Sequence, residues 1–123
     1  MPETTDPRRA LGEYGERLAE RYLTERGLSV VDRNWRCARG EIDLVVRDGD
    51  CLVFCEVKTR RTERFGSPVE AVHWRKARRL RRLAAAWLQE HDERPARIRI
   101  DVIGILRPVR GKAVVRHVQG VGA

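Results

Sequence analysis

The chain has 123 residues, 41% of them hydrophobic and 36% charged. That apolar share supports one packed core and argues against wholesale disorder, and the length leaves little room for a second domain. Its 26 basic and 18 acidic side chains leave a formal net charge of +8, which points to a polyanion, nucleic acid before anionic membrane. No apolar run approaches a membrane span, and the polar start Met1–Asp6 lacks a secretory signal. Cys37, Cys51 and Cys55 have no CxxC pairing, and His73, His91 and His117 have no metal-ligand spacing. Disulfide scaffolding and structural zinc are both set aside. The expectation is a cytoplasmic, reduced protein whose residues 1–123 form a single domain, with a loose tail over 1–7 and an ordered core over about 8–118.

In chain order, Leu11, Tyr14, Leu18 and Tyr22 follow a three-to-four spacing that predicts an amphipathic helix over 8–26, ended by Gly27. Strands are predicted over 28–35, 41–46 and 51–59, the last two joined by a hairpin turn at Asp48-Gly49. Ser67-Pro68-Val69-Glu70 supplies a hydroxyl N-cap, a first-turn Pro and a carboxylate three residues after the cap. It predicts a second helix reaching about Glu90. Alternation of Ile98, Ile100 and Val102 with charged residues predicts a strand over 97–106, and a short edge strand is expected over 112–118. The fold class is α/β, a mixed sheet flanked by helices in the order α-β-β-β-α-β(-β).

The charge is unevenly spread. Residues 1–59 carry 10 basic and 12 acidic side chains, and residues 60–123 carry 16 and 6. The acidic half holds the feature most informative for chemistry. With Asp48-Gly49 as the turn, Arg47 faces Asp50, Glu41 faces Glu56, and Asp43 lies one diagonal step from Glu56. Glu41, Asp43, Glu56 and Lys58 are then expected on one face at one end of the hairpin. Packed carboxylates repel unless a positive charge sits among them. An all-oxygen set suits a hard cation, Mg²⁺ or Mn²⁺, which would activate water and stabilise charge on a phosphate. The competing reading is a solvated hairpin face with ordinary cross-strand ion pairs. Placement favours chemistry, because Glu56 and Lys58 follow Leu52-Val53-Phe54, where a strand enters a core. Glu16 falls at the border of the first helix's apolar face, from which it can reach the sheet or simply make a helical i, i+4 contact.

The basic half offers a surface. Arg60, Arg61 and Arg64 follow the proposed site, and Arg75, Lys76, Arg78, Arg79 and Arg82 stud the second helix. These eight are candidates for phosphate contacts, salt-sensitive and indifferent to base sequence. An Arg-rich but merely soluble helix is the alternative for any single one. Trp74 and Trp87 are expected to pack, and Trp35 either packs or stacks.

The segments Gly15-Glu16-x-x-Ala19-x-x-Tyr22-Leu23, Asn34-Trp35-Arg36, Gly40-Glu41-Ile42-Asp43-Leu44-Val45 and Val53 through Arg60 resemble the YraN family of small bacterial proteins. So do Ser67–Val72 and Arg99–Ile103, and the resemblance spans about residues 10–106. That family is regarded as a branch of the PD-(D/E)xK nuclease superfamily, similar to restriction endonucleases and Holliday-junction resolvases. The resemblance implies a restriction-endonuclease-like core, with Asp43 and Glu56 as metal ligands and Lys58 as the catalytic lysine. It also implies that Glu16 is the helix-borne acid, and Glu41 belongs to the same motif. Ile42 stands where the superfamily has Pro.

The functional expectation is a Mg²⁺- or Mn²⁺-dependent endonuclease hydrolysing DNA, with branched or single-strand-containing DNA as the finer guess. A homodimer would supply two active sites for paired cuts. The alternative is a nucleic-acid-binding module that keeps the fold with little or no catalysis.

Overall fold

A computed structural model describes residues 6–62 and 74–121, with the side chains of Trp74 and Arg75 outside the described set. Helix α1 runs Pro7–Glu25, with Asp6 as N-cap accepting from the Arg8 N–H at 3.0 Å. Asp6 and Pro7, inside the segment expected as a loose tail, already belong to the helix start, because Asp-Pro is a ready-made one. At its far end the Gly27 N–H donates to Thr24 O and the Leu28 N–H to Leu23 O. This paired closure needs a left-handed residue, and Gly27 supplies it at φ +88°.

The strands are β1 (Ser29–Cys37), β2 (Gly40–Asp48), β3 (Cys51–Arg60), β4 (Arg97–Leu106) and β5 (Val114–Val118), with helix α2 at Trp74–Glu90 between β3 and β4. They form one sheet in the order β1-β2-β3-β4-β5. β3 and β4 are parallel, and the other three pairings are antiparallel. A parallel pair needs a crossover long enough for a helix, and α2 lies within it. The α/β order and mixed sheet are as the sequence predicts. The Ser67–Glu70 cap, Arg64 and the first turns assigned to the second helix lie outside the described residues.

Alternation along β3 splits the interior in two. Val53 and Cys55 pack with Ala19 and Leu23 of α1. Leu52 and Phe54 pack with Leu80, Leu83, Ala84 and Trp87 of α2. Trp87 is buried as expected, and Cys51 and Cys55 are buried too. Helix α1 lies close on the sheet at Gly15, where an added Cβ would come within 1.7 Å of Thr59 Oγ1. No other residue type allows that approach without moving the helix.

The hairpin register differs from the expectation. Asp48 pairs with Cys51 and Leu44 with Cys55, so the turn is Gly49-Asp50. Gly49 has φ +60°, and glycine at the first central position is what one of the two primed hairpin turns requires. The Asp-Gly pair thus begins one residue ahead of the turn itself. The slip places Asp43, and not Glu41, level with Glu56 in the strand pair.

Candidate metal centre

The β2–β3 ladder ends at Leu44↔Cys55, and beyond it a side chain takes over: Asp43 Oδ2 accepts from the Val57 N–H at 2.7 Å. Strict alternation also fails here. Ile42 joins the core under α2, whereas Leu44, two residues on, joins the core under α1. Across the sheet, Asn34 lies between the Arg33↔Leu44 and Trp35↔Ile42 pairs, opposite Asp43. It adopts φ +48°, a region that Asn tolerates better than most residues. These irregularities on two strands open a fork, and the carboxylates gather there.

One oxygen from each of Glu16, Glu41 and Asp43 lies within 4.8 Å of the other two. Glu16 comes from α1, held close by the Gly15 contact, so the border position on the helical wheel does reach the sheet. The Asn34 amide joins two of the acids, donating to Glu16 Oε1 at 2.9 Å, Glu16 Oε2 at 3.2 Å and Glu41 Oε1 at 3.3 Å. Arg36 Nε stands 3.5 Å from Glu41 Oε2. Burial, with the charges of Glu56, Glu16 and Glu41 adding to it, pushes Asp43 up to about 7 despite the Val57 hydrogen bond. Burial likewise raises Glu16, against the Asn34 hydrogen bond. Such a set of oxygens fits a hard divalent cation, whose charge would offset both the burial and the repulsion that lift Asp43.

Glu56 and Lys58 do not join this trio. Glu56 continues the Leu52–Phe54 alternation toward α2, and its Oε1 lies 3.0 Å from Lys76 Nζ and 3.2 Å from Lys58 Nζ. The expected convergence of Glu41, Asp43, Glu56 and Lys58 on one face therefore does not form. Its premise was unbroken alternation through Asp43, and the strand breaks it there. Instead, Glu41 meets Glu16 of α1, Glu56 meets Lys76 of α2, and Asp43 lies between the two groups. Burial lowers Lys76, reinforced by the neighbouring Lys58. Burial would lower Lys58, but the charge and hydrogen bond of Glu56, with the charge of Asp43, outweigh it and raise it.

Of the other sequence candidates, Arg60 and Arg61 line a concavity that also contains Glu16 and Lys58. Arg78, Arg79 and Arg82 are exposed on α2. Lys76, expected to contact phosphate, is instead engaged with Glu56. Arg64 and the Arg75 side chain lie outside the described residues. Trp35 donates from Nε1 to Glu90 Oε2 at 2.6 Å, a packing role. Sequence reasoning assigned no role to Asn34, although it lies in one of the segments carrying the family resemblance. A polar residue at a left-handed position inside a strand leaves no periodic signal.

No helix among the described residues is long and apolar enough to cross a membrane. The chain matches the model of a family described as "Uncharacterised protein family UPF0102" over residues 15–105. It is 56% identical over 115 residues to a UPF0102 protein of Nocardioides sp., covering 94% of this chain and 93% of that one. A UPF0102 protein of Kineococcus radiotolerans is 58% identical over 113 residues, covering 91% and 93%. One from Streptomyces coelicolor is 57% identical over 116 residues, covering 93% and 89%. The match spans the fork, the later part of α1, all of α2 and β1 to β3, and all but the last residue of β4, and on that ground the chain belongs to the UPF0102, or YraN, family.

Proposed function

We propose that the protein is a metal-dependent endonuclease that hydrolyses DNA phosphodiesters. The observation that carries this reading is the fork at Asp43, where three carboxylates converge at a cost that only a cation would repay. Glu16, Glu41 and Asp43 would hold Mg²⁺ or Mn²⁺, with Glu56 the candidate to complete the set once Lys58 and Lys76 release it. When bound, such an ion supplies an activated water and charge stabilisation at the phosphate. Lys58, a compact ammonium two residues beyond Glu56, would orient the water or neutralise the phosphate. Asn34 would keep Glu16 and Glu41 aimed at the ion. Arg60 and Arg61 would grip the backbone beside the site.

The test is cleavage of linear, nicked and four-way-junction DNA with Mg²⁺ or Mn²⁺. The expected result is metal-dependent cutting that Asp43→Ala abolishes, with branched DNA the preferred substrate. Cutting by Asp43→Ala at the wild-type rate would remove the site assignment.

One observation favours a second reading, a nucleic-acid-binding module with little or no catalysis: Glu56 is held by two ammonium groups and lies outside the carboxylate trio. Calorimetric titration with Mn²⁺ separates the two. A nuclease gives binding heat that Glu56→Ala diminishes, and a binding-only module gives none that depends on Glu56.

A further inference from the structure

Beside the carboxylates the surface changes sign. The β1–β2 turn, Cys37-Ala38-Arg39-Gly40, forms an open concavity with Arg36, Glu41 and Arg79. Gly40 seats the turn against α2: it has φ +146°, and a Cβ there would lie 3.4 Å from Leu83 Cδ1 and 3.9 Å from Arg79 Nε. The turn thus rests on the helix that carries Arg79, and Arg39 and Arg79 line the same hollow from two elements. Both are exposed, and neither has an ion-pair partner among the described residues. Arg36, paired with Glu41 at 3.5 Å, forms the wall shared with a second concavity that also holds Glu16 and Asn34. A third, containing Lys58, Arg60 and Arg61, meets the second at Gly12 and Glu16. The three hollows therefore adjoin one another at shared lining residues, with the acids in the middle and, at both ends, arginines without an ion-pair partner among the described residues.

We infer that the β1–β2 turn is a second phosphate-binding subsite, in which Arg39 and Arg79 take the nucleic-acid backbone on the side of the acids opposite Arg60 and Arg61. The inference rests on the nuclease reading for the identity of the polyanion. Guanidinium groups on two elements of fixed separation suit the repeating phosphates of one strand. Closely spaced carboxylates between them repel the backbone, so the guanidinium groups on both flanks must outweigh them when no metal is bound.

The test is fluorescence anisotropy of a labelled DNA oligonucleotide without divalent metal, titrated across salt concentrations with the full chain. Each lost phosphate contact should lower the slope of log K against log salt by about 0.7–0.9. The Arg39→Ala/Arg79→Ala variant should therefore flatten it by about 1.4–1.8. Arg26→Ala/Arg94→Ala, an equal charge change elsewhere on the surface, should shift it by less than half as much. Equal shifts in the two variants, or no measurable binding by the wild type, would overturn the subsite. Because these measurements need no cleavage, failure of the nuclease chemistry leaves them readable. Conversely, normal cutting with an unchanged slope rejects the subsite alone.

Discussion

Two aspartates on strands separated by β3, Asp101 buried and Asp43 half-buried, have opposite surroundings. Asp101 on β4 is 0% exposed and fully provided for. Arg99 donates to both its oxygens at 2.8 and 3.0 Å, the Gly120 N–H donates at 3.1 Å, and His117 Nε2 lies 2.7 Å away. Burial pushes its pKa up, but His117, Arg99 and the Gly120 N–H outweigh burial and hold it below the usual range. Asp43 on β2 has one backbone donor and three carboxylates for company, and it is lifted to about 7. The first acid is built to be charged and stays put, tying β5 and the residues after it to β4. The second is destabilised by burial and further by its acidic neighbours, as a group awaiting a cation would be.

The two also act on stability with opposite signs. Asp101, depressed in the fold, stabilises above its unfolded pKa, and the contribution is lost as pH falls through its folded value. Asp43, raised in the fold, is at its most favourable below its unfolded pKa. That advantage is lost as pH rises from about 4 to its folded value near 7.

The sharpest way to break the comparison is Asp101→Ala, which strands Arg99 and His117. It should cost about 3–5 kcal/mol by urea denaturation at neutral pH, and a loss under about 1 kcal/mol would deny Asp101 its structural role. Asp43→Asn should do the reverse. With EDTA present it should stabilise the protein by up to about 4 kcal/mol above pH 7, the gain shrinking as pH falls toward 4. A loss of stability at pH 8 would mean that Asp43 is as well provided for as Asp101. Mn²⁺ should raise the melting temperature of the wild type and not of Asp43→Asn, and equal rises would place binding elsewhere. The smallest effect is expected at Asn34→Ala, which frees Glu16 and Glu41. Calorimetry should show Mn²⁺ affinity falling about tenfold, and unchanged affinity would leave Asn34 a purely architectural role.

Much of this was legible because periodicity writes it plainly. The boundaries of β4 and the helical face of α1 follow from apolar spacing alone, and Glu16 was visible as a border residue on that face. The fork was not legible. Its register depended on which two residues make a primed turn, and Asp-Gly-Asp offers two choices one step apart. Which face Glu56 takes depended on alternation surviving Asp43, and a strand gives no warning in sequence of where its pleat will break. Asn34 was hidden for the same reason, since its left-handed backbone is the counterpart of that break on β1. The role of Asp101 is equally hidden, because its partners Arg99, His117 and Gly120 meet it through strand pairing and a chain reversal that spacing does not encode.

The hydrogen bond from Val57 to Asp43 has one more consequence. A main-chain carbonyl would ordinarily close that rung, and its reach is the same whatever residue carries it. Here a side chain closes it, so the width of the opening is set by the length of an acid, one methylene from backbone to carboxyl. A Glu at the same place would keep the charge and change the gauge, spreading the strands or swinging the carboxyl past Val57. The identity of this residue is therefore fixed twice over, once by what it would bind and once as a spacer in the sheet.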